Sequence, residues 1–308
     1  MSKQNTKLHV NPRSTGIVSA NTYEKHTQKI NLMPEALELT RCRDLSIRTK
    51  HVNVVELVDF NETTNRLTTR RVDAQELFLK VWNSTYFLGR LKGHHLSEPD
   101  TLRARIIELG SWLKKYHLSS IEESTEGASG RSLEADFHKK IKDIRRNRLI
   151  PETKLARIEK KFGKDFSNLS QPSYLNLNGA FPCRVHGDFT IYNILIDHQN
   201  DLHILDFGDT RISGNFEDLA RFYSGLWAIS RTNRSRFKLL SDLPERFLNA
   251  YGVSHEITET PYFRCNLAFN FLTHLAAQNY MKELLSWNSN REMSLITKAG
   301  LEWIYEQI

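Results

Sequence analysis

The chain has 308 residues, 39% hydrophobic and 26% charged, a balance that suits one or two globular domains and excludes intrinsic disorder. No run approaches the ~18 uninterrupted apolar residues of a spanning helix, and the opening MSKQNTKLHV lacks the apolar core of a signal peptide. The net charge of +7 is concentrated: Lys139 to Lys164 carries eleven Lys or Arg against three acids, which leaves the rest near neutral and disfavours a nucleic-acid-binding protein.

In chain order, Ile17 to Lys25 reads as extended, and Pro34 suits the first turn of a helix continued by Glu35 to Leu39. HVNVVELVDF (His51 to Phe60), the turn residues NETTN and RLTTRRV (Arg66 to Val72) predict strand–turn–strand over Val52 to Val72. From Asp73 the pattern turns helical. Leu102, Ile106, Leu109 and Leu113, with Trp112 and Tyr116 beside them, keep helical spacing, as do Leu133, Phe137, Ile141 and Ile144, then Leu155, Ile158 and Phe162. EESTEGASGRS (Glu122 to Ser132) reads as a loop, and Phe216 to Ile308 as helices again. The basic stretch 139–164 falls on two amphipathic helices, so its charges are expected on solvated faces, with contact to an anionic surface as the functional alternative. Cys42, Cys183 and Cys265 are too scattered for a disulfide framework or metal knuckle and predict free thiols and a cytoplasmic location.

One region breaks the helical theme. VHGDFTIYNILIDHQNDLHILDFGDT (Val185 to Thr210) holds β-prone runs at Ile194 to Ile196 and Leu202 to Leu205 around His198-Gln199-Asn200-Asp201, a β-hairpin. A polar loop with Asp188 precedes it, and Asp206-Phe207-Gly208 ends it. Phosphoryl transfer from a nucleotide needs Mg²⁺ on the phosphates and a carboxylate to orient the attacking hydroxyl. Hard Mg²⁺ takes a carboxylate and an amide oxygen well. The order Asp, Asn five residues on, then Asp-Phe-Gly beyond a hairpin fits that need. It assigns Asp188 as catalytic base and Asn193 and Asp206 as metal ligands. His94-His95 and the pair His198 and His203 lack further ligands at metal-binding spacing. Phe222, Tyr223 and Trp227 read as core packing, with one ring at the border of an acceptor pocket.

HGDFTIYNILID and LHILDFGD, followed by FEDLARF, resemble the aminoglycoside phosphotransferase and choline kinase family over Pro182 to Phe222, with a weaker likeness over Val52 to Leu77. The resemblance implies an α+β, bilobal protein-kinase-like fold, ATP or GTP as donor, Mg²⁺ and a small-molecule hydroxyl as acceptor. It also implies that His186 braces the catalytic loop and that Asp218 anchors it from the following helix. Eleven residues between Asp206 and Asp218, and no Ala-Pro-Glu after them, leave no room for the peptide-docking segment of a protein kinase.

The expected lobes are a strand-rich one over residues 1–72, covering the nucleotide, and a larger helical one over 73–308, holding catalysis and acceptor. Such enzymes place a strand Lys on the phosphates, held by a helix Glu. Lys25 and Glu35 resemble that pair, with Lys29 and Glu38 as alternatives. No Gly-rich loop is recognisable: Gly16 is the only glycine before Gly89, so Asn11 to Gly16 is assigned as the phosphate-covering turn. Thr69 to Val72, with Arg70 and Val72 at its core, is expected to offer backbone groups to the purine. The leading expectation is transfer of the γ-phosphoryl group to an amino sugar, amino alcohol or glycan precursor. The alternative is an inactive pseudokinase that keeps the fold as a binding module. A cationic acceptor calls for acids, and Glu122, Glu123, Glu126, Glu256 and Glu259 are the candidates.

Overall fold

Short β-prone runs at the start of the chain build a five-stranded antiparallel sheet in the order β1-β2-β3-β6-β5. Its strands are β1 (Lys7–Val10), β2 (Thr15–Val18), β3 (Thr22–His26), β5 (Leu57–Asn61) and β6 (Arg66–Arg70). The computed structural model describes residues 7–10, 15–85, 98–121, 133–168, 179–232, 240–281 and 287–308. The loop expected at Glu122 to Ser132, His94-His95 and residues 11–14 of the phosphate turn lie outside them. Helix α1 (Met33–Asp44) holds Pro34 in its first turn, as expected, and buries Ala36, Leu39 and Cys42.

The stretch expected as one strand is two. Residues 52–54 form β4 (Val52–Val54), which leaves the five-stranded sheet and pairs in parallel with β10 (Leu202–Ile204), Val52 opposite Leu202. The change of sheet falls at Val55-Glu56: Val55 N–H donates to the Ile204 carbonyl at 3.2 Å, while the Glu56 carbonyl accepts from Arg70 N–H at 2.8 Å. A strand also precedes the first helix after Asp73. This β7 (Ala74–Glu76) pairs with β9 (Ile194–Asp197), giving a second sheet in the order β4-β10-β9-β7. Two strands of the amino-terminal stretch thus flank the hairpin predicted at Ile194 to Leu205, and no local pattern could show that.

Helix α2 (Leu77–Thr85) follows β7, and α3 (Glu98–Leu118) buries Leu102, Ile106, Leu109, Trp112, Leu113 and Tyr116 along one stripe. It packs on α7 (Leu243–Tyr251), so closely that a Cβ on Gly110 would sit 2.5 Å from the Phe247 carbonyl oxygen. Helices α4 (Leu133–Arg146) and α5 (Glu152–Asn168) meet through stacked Phe137 and Phe166, ring centroids 4.2 Å apart. Their basic residues face outward, Arg145 for example bonding to Glu152 and Glu159. Strands β8 (Pro182–Val185) and β11 (Arg211–Gly214) pair antiparallel, and α6 (Phe216–Thr232), α8 (Pro261–Met281) and α9 (Trp287–Glu306) complete the helical part. Cys42, Cys183 and Cys265 are buried free thiols. Among the described residues no helix is long and apolar enough to cross a membrane.

Candidate active site

The loop between β8 and β9 carries Asp188, and its shape is set first by Gly187. At φ +81° this residue occupies left-handed space, and a Cβ there would press on the Asp209 carbonyl and the Arg211 guanidinium. The loop is then pinned from below by Asp218, fully buried in the first turn of α6. One Asp218 oxygen accepts from Gly187 N–H at 2.9 Å, the other from His186 N–H at 2.7 Å and His117 Nε2 at 3.1 Å. The network continues outward. His117 Nδ1 lies 2.9 Å from the Tyr251 hydroxyl, which accepts from Asn215 Nδ2 at 3.0 Å. Tyr251 as donor to Nδ1 leaves Nε2–H for Asp218, so each member has its partner. Burial pushes the Asp218 carboxyl up, but the hydrogen bonds from His117 and from the His186 backbone outweigh it and hold the group below its ordinary range.

His186 is buried and donates from Nε2 to the Leu205 carbonyl at 2.9 Å, while its Nδ1 accepts Asp188 N–H at 3.3 Å. It ties the loop to the far strand of the hairpin. Asn193 donates through Nδ2 to Asp188 twice, at 2.9 Å to the carbonyl and 2.8 Å to Oδ2. Its own side-chain oxygen accepts from nothing among the described residues. The hairpin register brings Asn193 to Asp206: Ile194 faces Ile204, and Leu205 N–H donates to the Asn193 carbonyl at 2.9 Å, one residue before Asp206. Asp206 itself takes φ 59° and ψ 64°, a left-handed conformation that costs a non-glycine residue about 1 kcal/mol and re-aims its carboxylate.

Lys25 reaches this end of the hairpin from β3. Its ammonium lies 2.8 Å from Glu35 Oε2 and 2.8 Å from Asp206 Oδ1, linking residues 181 positions apart. Burial opposes the charge on Lys25, but Glu35 and Asp206 raise its pKa. Of the alternatives, Lys29 is exposed, and Glu38, buried on the same face of α1 as Glu35, pairs with Arg41 at 2.9 Å and Arg184 at 3.6 Å. Gly16 lies opposite Lys25 in the register, under the Tyr23 ring, and a Cβ there would strike the Tyr23 hydroxyl. In the segment expected to meet the purine, Arg70 is committed to Glu56 through both backbone N–H and guanidinium, and Arg71 N–H donates to Asn21. Val72 N–H donates to nothing among the described residues.

Two residues that the motifs did not indicate also belong to this site, Arg221 by contact with Asp188 and His274 through the charges of both. Arg221, on α6, donates from Nη1 to Asp188 Oδ1 at 2.5 Å. Burial raises the Asp188 carboxyl, yet Arg221, His186 and the bond from Asn193 together hold it below the usual carboxylate range. His274, on α8, is pushed down to about 4 by burial and then by the Arg221 charge, so its imidazole is neutral near pH 7. His117 had a faint signal, four residues beyond Leu113 on an apolar helical stripe. Arg221 had only its place three residues after Asp218, and His274 had none.

The other expectations sort by geometry. His203 bonds Asp197 at 3.0 Å and His198 is exposed; among the described residues no three His, Cys, Asp or Glu groups cluster as a metal site. That census leaves open an ion held by one carboxylate, one amide oxygen and phosphate oxygens. Phe222 is core, packed on Phe189 and Phe247, whereas Tyr223 and Trp227 line a cavity of about 660 Å³ with Glu245, Glu259 and Arg264. Helical periodicity turns these two away from Arg221 and Gly225, which face Asp188 and Ile191. Glu256 is exposed, and Glu122, Glu123 and Glu126 lie outside the described residues.

A model of the phosphotransferase enzyme family matches residues 35–259. The fold is similar to that of a choline/ethanolamine kinase family protein from Mesorhizobium loti, at 14% identity over 98% of this chain and 87% of that one, TM-score 0.57. Wild-type aminoglycoside 2'-phosphotransferase-IIIa in its GDP complex gives 14% identity, 98% and 94% coverage and a TM-score of 0.58. Choline kinase LicA from Streptococcus pneumoniae gives 15%, 97% and 91%, and 0.53. None of the curated proteins matches the sequence. The strand-rich amino-terminal part and helical remainder are therefore those of a bilobal kinase-like fold.

Proposed function

This chain belongs to the phosphotransferase enzyme family and is a small-molecule kinase, and from that premise we propose how its residues divide the work. Asp188 receives the acceptor: its carboxylate orients the hydroxyl and takes its proton as the oxygen bonds to the γ-phosphorus and the bond to the β-phosphate oxygen breaks. A carboxyl held below its ordinary range is a weak base, which suits a loose transition state where the proton leaves late. Orientation is then its larger contribution.

Asn193 and Asp206 are proposed to hold Mg²⁺, and the donor set fits: hard oxygens only, an uncommitted amide oxygen on Asn193 and a carboxylate whose Oδ1 alone is taken by Lys25. When bound, the ion would neutralise phosphate charge. Lys25 is proposed to bind nucleotide phosphates, with Glu35 fixing its direction, and Val72 N–H to meet the purine of ATP or GTP. His186 and Asp218 keep the loop in shape. The acceptor is assigned to small hydroxyl compounds such as an amino sugar, an amino alcohol or a glycan precursor.

The observation that carries this reading is the bridge through Lys25: one ammonium 2.8 Å from both Glu35 and Asp206, where phosphate chemistry needs a cation beside a metal carboxylate. The test is Mg²⁺-dependent consumption of ATP and GTP with a panel of such acceptors, wild type against Asp188→Ala. Acceptor-dependent turnover should fall by about 10³-fold in the variant, with nucleotide binding kept. Turnover that survives the substitution would remove Asp188 from the mechanism.

A further inference from the structure

We propose that the acceptor carries an anionic group, a carboxylate or phosphate, near the hydroxyl it presents to Asp188, and that Arg221 recognises this group. The inference rests on the phosphotransferase reading above and, of its acceptor classes, keeps the glycan precursor and sets aside the cationic amino sugar and amino alcohol.

Arg221 stands on the face of α6 turned to the catalytic loop, where Gly225, one turn on, packs against Ile191. Its guanidinium has five N–H donors. One of its nitrogens, Nη1, donates to Asp188 Oδ1 at 2.5 Å. Nε is buried and donates to nothing, and no partner for Nη2 occurs among the described residues. A cation drawn this far from water with donors unspent is costly to hold. Nη2 is the donor left to an oxygen of a carboxylate or phosphate.

The place of Asp188 points the same way. Oδ2 accepts from Asn193 and Oδ1 from Arg221, and each oxygen keeps a second lone pair, so a hydroxyl that donates to Asp188 arrives beside the Arg221 guanidinium. A neutral acceptor would leave the unspent donor of Arg221 unpaired. A cationic one would add repulsion from the guanidinium. An anionic acceptor would take that donor while its hydroxyl donates to Asp188. His274 feels the charges of Arg221 and Asp188, and its imidazole is neutral near pH 7. Glu259, an acid the sequence offered for a cationic acceptor, lies in the cavity on the other side of α6, paired with Arg264 at 3.5 Å.

The test compares size-matched probes in the presence of Mg²⁺ and a non-hydrolysable ATP analogue. Glycerol, glycerol 3-phosphate and 3-aminopropane-1,2-diol form one set; glucose, glucuronate, glucose 6-phosphate and glucosamine form the other. Calorimetry reads affinity, and turnover is followed with ATP itself. The anionic members should bind at least about tenfold tighter than their neutral counterparts, the smallest margin expected of a charge-assisted hydrogen bond. Arg221→Gln should abolish that margin, Arg221→Lys should keep part of it, and nucleotide affinity should stay unchanged in both. No margin in the wild type, a preference for the ammonium members, or a margin that survives Arg221→Gln would each overturn the proposal. Asp188-dependent turnover of a cationic acceptor, indifferent to Arg221→Gln, would sink this inference and leave the phosphotransferase reading intact. Arg221-dependent anion binding without turnover of any acceptor would keep the anion site and count against Asp188 as base.

Discussion

The two sides of the catalytic loop are built on opposite principles. Beneath it, Asp218, His117, Tyr251 and Asn215 form a buried chain in which donors and acceptors match one to one. Above it, Lys25, Asp206 and Arg221 crowd charges together and leave donors unspent, Arg221 Nε among them. A satisfied network rigidifies a loop and asks nothing of a ligand. An unsatisfied set of charges is stable only because the surrounding fold holds it, and it gains when a ligand of complementary charge arrives. The comparison separates residues that shape the site from residues that would use it.

The comparison can be broken from below. Asp218→Asn removes the charge that His117 and two backbone amides share, and should cost about 2 kcal/mol of stability, as leaving a buried donor without its acceptor does. Chemical denaturation of both proteins measures it. The sign with pH follows from the lowered folded-state carboxyl: its contribution is complete above the ordinary Asp value of about 3.9 and is lost as pH falls through the lower folded value. In that acid range the stability of Asp218→Asn should fall less steeply than that of the wild type. Parallel slopes would deny the network its charge.

From above, substitutions should act on ligands instead. Lys25→Met ought to weaken Mg²⁺–nucleotide binding by about tenfold or more, the worth of one charge-assisted contact. Its neighbour Glu35 would be left buried without its cation, so the stability of the double variant Lys25→Met/Glu35→Gln serves as the control. Equal nucleotide affinity in wild type and Lys25→Met would end the assignment of Lys25 to phosphates.

The smallest effect sharpens the boundary between the two sides. His274 is held near 4 in the folded chain against an ordinary 6.5, so the unfolded chain binds the proton first. Its stabilising contribution is complete above about pH 6.5 and declines as pH falls toward 4. His274→Gln should therefore lose less stability between pH 7 and 5 than the wild type does. An identical decline would mean that His274 is freely protonated in the folded state.

Part of this site could be read before any fold was known, for a physical reason. Asp188, Asn193 and Asp206 are tied together by a hairpin of local contacts, so spacing along the chain approximates spacing in the molecule. The choice between Glu35 and Glu38 could not be read. Both sit on one buried face of α1, and only the docking of that helix put Lys25 against one and Arg41 and Arg184 against the other. His51 to Phe60 was misread as one strand because its first half pairs with Leu202 to Ile204, far along the chain.

By itself, then, the sequence determined the helical stripes, the hairpin and the order of polar groups along it, because period and turn chemistry act over a few residues. Tertiary structure decided the rest. It bridged Lys25 to Asp206 across 181 positions, brought His117 beneath the loop from α3, and turned Arg221 rather than Tyr223 toward Asp188. Each of these depends on how one element is rotated and seated against another, and that is fixed by packing over the whole core, which no local pattern encodes.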